Sequence, residues 1–166
     1  MPCREALGAL GLQTVPVATG SKGYHLVAPI RPSVSVEALV LAVQKLSAIL
    51  VAKHPDELTT VFRIALRGKR VFVDWMRNQP NATAVAPCSL RARPRATVAT
   101  PLAWDELETT DPDAFTIDDL DRLLARPDSL AELAKTPGDA VSFVAAVDTA
   151  FDRSGTVIET FDRFRS

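Results

Sequence analysis

The residues best suited to chemistry fall into three short groups. Thr19-Gly20-Ser21-Lys22-Gly23-Tyr24-His25 sets a lysine, two hydroxyls and an imidazole around two glycines. Glycine backbones reach conformations and close approaches denied to other residues. Bare N–H groups, hydroxyls and a lysine ammonium make a seat for phosphate oxygens. The glycine-to-lysine spacing of a P-loop is absent. A surface hairpin turn with a solvated lysine accounts for the same composition. The second group is Asp74, a single carboxylate near the end of the apolar run Arg70-Val71-Phe72-Val73-Asp74-Trp75. An aspartate at the end of a buried strand is a metal ligand or catalytic group, or else a helix or turn cap. The third is Ser89-Leu90-Arg91-Ala92-Arg93-Pro94-Arg95, with arginines at alternate positions. An extended chain would point all three one way, a row that suits a polyanion; a flexible loop with scattered charge is the alternative.

The elements that must position these groups are legible as follows. Met1 to Leu10 has apolar residues at helical spacing and a stop at Gly11. Thr14 to Ala18 is a short β-branched strand, predicted to pair antiparallel with Tyr24 to Pro29 across the glycine turn. Ile30 to Val34 is a proline-containing loop. Ser35 is an N-cap, and Val36, Leu39, Val40, Val43, Leu46, Ile49 and Leu50 give a wide helical stripe to about Lys53. His54-Pro55-Asp56 breaks that helix, and His54 is a capping or solvated residue rather than a ligand, having no second metal ligand at suitable spacing.

Thr59 to Arg67 is predicted as a short helix with Arg63 and Arg67 on one face, turned by Gly68-Lys69 into the strand that carries Asp74. Arg77 to Thr83 is turn-like, Thr83 to Pro87 extended, and Thr97 to Leu102 a last strand before a helical start at Trp104. Beyond Asp111 come helical patches from Thr116 to about Ala125, Ser129 to Lys135 and Gly138 to Phe151, broken at Pro127 and Pro137. Phe161 and Phe164 are expected to pack a final helix back on the body. Repeats and low-complexity segments are absent.

A chain of 166 residues, 47% hydrophobic, is about one domain with a real core. Its net charge of −1 hides an asymmetry. Arg63, Arg67, Lys69, Arg70, Arg77, Arg91, Arg93 and Arg95 face Asp74 alone between Phe62 and Arg95. Between Asp105 and Glu132 ten acids face Arg122 and Arg126. A basic middle suggests an anionic partner, nucleotide or nucleic acid, with segregated solvated faces as the bland alternative. Cys3 and Cys88 have no metal-like spacing, and no secretory signal precedes them, so a reduced, cytoplasmic setting is expected. No apolar run is long enough to span a membrane, and no membrane partner is expected.

Taken in order, the glycine turn, then Val71-Phe72-Val73-Asp74-Trp75, then Thr83-Ala84-Val85-Ala86-Pro87 running into Ser89-Leu90-Arg91-Ala92-Arg93-Pro94 resemble one family. It is the polymerase domain of bacterial ATP-dependent DNA ligase D, of the archaeo-eukaryotic primase superfamily. Ala99-Thr100-Pro101-Leu102 with Trp104-Asp105-Glu106-Leu107 is also similar to it, and the likeness covers roughly residues 5 to 110. The resemblance implies a metal-dependent nucleotidyltransferase that adds nucleotides at DNA ends in non-homologous end joining. In such enzymes three carboxylates hold two divalent ions, one activating the 3′-hydroxyl and one steadying the triphosphate; oxygen ligands suit Mg²⁺ or Mn²⁺. Carried onto this chain, Asp74 matches the third carboxylate, both catalytic and metal-binding. Thr19, Ser21, Lys22 and Gly23 match the triphosphate turn, His25 the histidine of the second motif, and Arg91 an arginine at the triphosphate.

The family's first motif, a strand bearing Asp-x-Asp, is not found before the turn; Asp111-Pro112-Asp113, in a turn-like stretch, is a poor substitute. The expectation is therefore an N-terminally truncated domain, its start lying inside the helix that follows that strand. The fold implied is α/β, a primase-like mixed or antiparallel sheet packed with helices, incomplete at its N-terminal half, with a helical tail. Residues 1–110 would be the C-terminal half of the catalytic domain and 111–166 a helical appendage. The expected function is that of a ligase-D-type DNA repair polymerase, or alternatively of a non-catalytic nucleotide- or DNA-end-binding module or an inactive relic. The partners implied are a nucleoside triphosphate, DNA ends, and a ligase or a chain carrying the missing half. The place implied is the bacterial cytoplasm, at the nucleoid. An open sheet edge left by the missing strands would favour oligomerisation.

Overall fold

The computed structural model describes residues 1–158. In chain order the elements are α1 (Pro2–Ala9), β1 (Val15–Ala18), β2 (Tyr24–Val27), β3 (Ile30–Arg31), α2 (Val36–Lys53), β4 (Leu58–Thr59), β5 (Val71–Phe72), β6 (Thr100–Pro101), α3 (Leu120–Leu124), α4 (Ser129–Ala134), β7 (Gly138–Asp139) and α5 (Ala140–Ser154). Short 3-10 turns lie at Ile64–Leu66, Trp75–Asn78 and Ile117–Asp119. The chain forms two compact units, each assembled from separated stretches of sequence.

The first unit takes residues 3–31 and 83–139. Its antiparallel sheet runs in the order β2-β1-β6, with Val17 opposite His25 on one side and opposite Pro101 on the other. All four residues of β1 are buried, which is why Val15-Pro16-Val17-Ala18 reads as a short apolar run. Pro16, which lacks an N–H, accepts from the Leu102 amide through its carbonyl at 2.8 Å. Ala18, Leu102 and Phe115 form the core, with Tyr24, Leu107 and Leu123 packed on it. The Trp104 indole donates to the Thr14 carbonyl at 2.8 Å and lies under the Arg4 guanidinium at 4.4 Å. Arg126 donates to both oxygens of Glu106 and to the Pro101 carbonyl, so one side chain ties the 104–109 turn to β6. That guanidinium holds the Glu106 carboxyl below its usual range.

The second unit takes residues 32–82 and the stretch from Ala140. Its centre is α2, which opens as the sequence predicts: the Ser35 hydroxyl accepts from the Ala38 amide at 3.1 Å. Ala42, Leu46, Ile49 and Leu50 of α2 are buried, as are Phe143 and Val147 of the adjoining α5. Lys45 and Asp148 join the two helices at 2.6 Å.

Mixed α/β architecture, the β1–β2 hairpin, α2 and the 116–125 helical stretch stand as expected. Several local expectations do not. Ile30–Arg31 is not loop: it pairs parallel with Gly138–Asp139, a partner more distant in sequence than any local pattern can register. The predicted helix over 59–67 is instead β4, a loop and the 3-10 turn Ile64–Leu66, because Thr59 pairs with Phe72. The Arg67 guanidinium then closes the loop by donating to the Val61 and Phe62 carbonyls at 2.9 and 2.7 Å. The apolar run at 70–75 keeps only Val71–Phe72 as strand, with Val71 62% exposed rather than buried. Residues 104–109 form turns, not a helical start. Thr97 to Leu102 is regular strand only at Thr100–Pro101, with single bridges from Thr97 to Thr116 and Val98 to Leu90. Phe161 and Phe164 lie outside the described residues.

Candidate functional site

The glycine turn is braced from within. The Thr19 amide and hydroxyl both donate to the Gly23 carbonyl, at 3.1 and 2.6 Å. Gly20 has φ +66°, and its amide donates to the Pro112 carbonyl at 2.8 Å. The Gly20 carbonyl accepts from the buried Thr97 hydroxyl at 2.6 Å. A Cβ at Gly20 would lie 2.9 Å from Arg91 Cγ and 3.1 Å from Thr97 Oγ1. Glycine is therefore required here twice, by backbone conformation and by space. These bonds engage Thr19 and Gly20 inside the fold and leave Ser21 and Lys22 as the outward groups. Lys22 is exposed and makes no hydrogen bond or ion pair among the described residues.

The arginine segment comes to this turn, though not as a straight row. Leu90 and Val98 bridge antiparallel, and the chain between them doubles back through the Arg93 and Ala96 amides, which donate to the Arg91 and Arg93 carbonyls. Pro94 and the positive φ of Ala96 fit such a reversal and break the alternation that an extended strand would give. The result still converges. Arg93 Nη2 donates to Ser21 Oγ at 3.1 Å, Arg91 packs its Cγ against Gly20, and Arg95 lies 3.9 Å from Asp113. The Arg91 guanidinium has no partner among the described residues. His25 stands on β2 beside the turn, half-buried. Asp111 and Asp113 lie close enough to Tyr24 to raise its pKa further, beyond the larger effect of burial.

Asp74 belongs to the second unit. It precedes the 3-10 turn Trp75–Asn78 in the N-cap position, yet its side chain makes no capping bond. Oδ2 instead accepts from Arg77 Nε at 2.9 Å, while Oδ1 is buried without a partner. In the same unit Phe62 and Phe72 pack edge to face at 6.5 Å, and the Arg67 guanidinium lies over Phe72 at 3.8 Å. Phe62, Ile64 and Leu66 are more than half exposed. Phe62 and Phe72 thus stand in one stretch of chain with Arg63, Lys69 and Arg70, a combination of rings and cations of the kind that single-stranded nucleic-acid binders use. The sequence signal for it, aromatics within a basic run, is present at 62–72.

Thr97 and Pro112, which hold the turn, and Arg93, which reaches Ser21, are brought there by tertiary contacts with no local signature. Among the described residues no three His, Cys, Asp or Glu side chains gather as a metal site. Asp74, with one oxygen already held by Arg77, does not fit a two-ion centre by itself, since magnesium gives up its water reluctantly and needs several oxygen ligands.

The sequence model of the LigD primase-polymerase domain matches residues 1–130. The chain belongs to the LigD primase-polymerase family. The multifunctional non-homologous end joining protein LigD of Mycobacterium bovis is 36% identical over 129 residues, covering 78% of this chain and 17% of the relative. The bifunctional non-homologous end joining protein LigD of Bacillus subtilis is 27% identical over 143 residues, covering 82% of this chain and 23% of the relative. Among solved structures, the polymerase domain of Mycobacterium tuberculosis ligase D in complex with DNA superposes with a TM-score of 0.72 at 35% identity. That match covers 82% of this chain and 48% of the solved chain. The chain thus spans under a quarter of the length of these LigD relatives and about half of the solved LigD domain. No described helix is long and apolar enough to cross a membrane.

Proposed function

We propose that this chain is the part of a LigD-type repair polymerase that holds the nucleotide and the DNA end during nucleotidyl transfer in non-homologous end joining. The observation that carries the reading is the approach of Arg93 to Ser21, which sets the arginine loop against the glycine turn beside the exposed Lys22. Lys22 and Arg91 are the cations for the triphosphate, Ser21 donates to it, and His25 lines its edge. Thr19 and Gly23 act by shaping the turn through their mutual hydrogen bonds. Asp74 would be one oxygen ligand of a divalent ion, Mg²⁺ or Mn²⁺, which needs further ligands beside it, and the Phe62–Phe72 surface meets the DNA strand. Residues 1–110 carry these roles, while Pro112 and Phe115 complete the first unit and α5 packs on α2 in the second. The setting is the bacterial cytoplasm, at the nucleoid, with a ligase as partner.

A second reading is favoured by the donor set: with Asp74 alone among the described residues and bound to Arg77, a non-catalytic module that binds nucleotide or DNA ends is the alternative. Primer extension on gapped, 5′-phosphorylated DNA with Mn²⁺ and ribonucleotides separates the two, run beside Asp74→Ala. Extension that vanishes in the variant supports the polymerase. DNA and nucleotide binding without extension supports the module, and unchanged triphosphate affinity in both Lys22→Ala and Arg91→Ala removes the site assignment.

A further inference from the structure

The second unit contains a groove of about 350 Å³ between α2 and the 75–81 segment, lined among others by Glu37, Val40, Gln44, Trp75, Gln79 and Asn81. Its chemistry differs from that of the glycine turn. Glu37 is its one charged side chain, so it offers no cation to a phosphate. The amides of Gln44, Gln79 and Asn81 make no side-chain hydrogen bond among the described residues, and the Trp75 indole N–H has no acceptor there either. Each amide carries both a donor and an acceptor. Three such groups beside an indole and an aliphatic wall fit a flat, uncharged heterocycle with donors and acceptors on its edge. Asn and Gln side chains pair with base edges in this way, and aromatic side chains stack on base faces. The volume falls at the small end of the usual range for ligand sites.

We propose that this groove receives one unpaired base of a DNA strand. Trp75 stacks on the base, and Gln44, Gln79 and Asn81 bond its edge. A base within a duplex already uses that edge, so the groove selects single-stranded or end-frayed DNA. Its place in the chain agrees, since Trp75 follows Asp74 directly and the exposed Phe62–Phe72 surface belongs to the same unit. The inference rests on the reading of the chain as a DNA-end-binding protein and adds a base-selective subsite to it.

The test compares two single-stranded oligonucleotides of equal length and charge, one with normal bases and one made of abasic residues, by fluorescence anisotropy at matched salt. The wild-type chain should bind the first about tenfold more tightly, the size expected for one stacked base. The double variant Gln44→Ala/Asn81→Ala, checked for folding by circular dichroism, should show a reduced preference, Trp75 still stacking, and keep its affinity for the abasic strand. Trp75→Phe, which retains a ring, should keep part of it. Equal wild-type affinity for the two strands overturns the groove while leaving DNA binding in place. So does an undiminished preference in the double variant. Absence of binding to either strand overturns the DNA-end reading and the groove together. Competition by free adenosine at concentrations that leave abasic binding unaffected supports recognition of the base itself.

Discussion

The glycine turn of the first unit and the 59–81 stretch of the second are both rich in candidate ligand groups, yet they handle their polar atoms in opposite ways. In the turn, the Thr19 hydroxyl, the Gly20 amide and the Gly20 carbonyl all find partners inside the fold, and only Ser21 and Lys22 face outward. In the second stretch, Asp74 keeps a buried oxygen without a partner, the Gln79 and Asn81 amides line a groove unbonded, and Phe62, Ile64, Leu66 and Val71 stand exposed. A braced turn is a rigid anchor for an anion. Asp74 Oδ1 is the group there that calls for a partner from elsewhere, because buried polar atoms without partners are costly and rare. The difference teaches which substitutions should cost stability and which should cost binding.

Gly20→Ala attacks the brace most directly, since it forces a positive φ on alanine and drives a Cβ to 2.9 Å from Arg91 Cγ. A loss of about 2–4 kcal/mol is expected in urea unfolding, combining backbone strain with overpacking. A loss below about 0.5 kcal/mol would mean that the turn is not braced as described. Thr97→Val comes next. It leaves the Gly20 carbonyl without its buried donor and should cost about 1–3 kcal/mol, read from the same curves.

Glu106→Gln should cost about 1 kcal/mol at neutral pH, less than the roughly 1.5–3 kcal/mol of a bond to a charged group because the carboxylate is partly exposed. The sign with pH follows from the lowered pKa of Glu106, caused first by its bond to Arg126. Its contribution is present above the unfolded carboxylate value, about 4.3, and is lost as pH falls through the lower folded value. Urea midpoints for wild type and Glu106→Gln should therefore draw together as pH falls below the unfolded value and converge below the lowered folded one. If they stay apart there, the charge is not what Arg126 holds.

Asp74→Asn and Lys22→Ala sit at the opposite end of the scale. Both should leave stability within about 0.5 kcal/mol, while Asp74→Asn removes any Mn²⁺-dependent extension and Lys22→Ala weakens triphosphate binding. A large loss of stability in either would erase the contrast between brace and open stretch.

What the sequence makes legible is local. Ser35 before an apolar stripe announces α2, because the cap and the stripe act within a few residues of one another. The β1–β2 hairpin follows from two β-branched or apolar runs joined by a glycine turn. The ordered motifs around Lys22, Asp74 and Arg91 carry the family, and the likeness of residues 1–130 to the LigD domain agrees with them. The missed features all depend on distant partners. Nothing near Ile30 announces Gly138, nothing near Gly20 announces Pro112, and Thr59 becomes strand only because Phe72 lies beside it. The amide-lined groove escaped for the same reason, as Gln44 and Asn81 meet only through the packing of α2 on the Trp75 turn.

The two units are threaded through one another along the chain: residues 3–31 and 83–139 make one, 32–82 and the stretch from Ala140 the other. On the ribosome, β1 and β2 emerge early, but β6 and the β3 partner at Gly138–Asp139 arrive only after α2 and the Asp74 stretch have been made. Domains commonly fold as they emerge, N-terminal parts first. Here the first unit to begin cannot close before the second has begun. Ribosome-stalled chains ending near residue 110 would leave both unfinished, so chaperone dependence should peak in that interval of synthesis and fall once α5 is out.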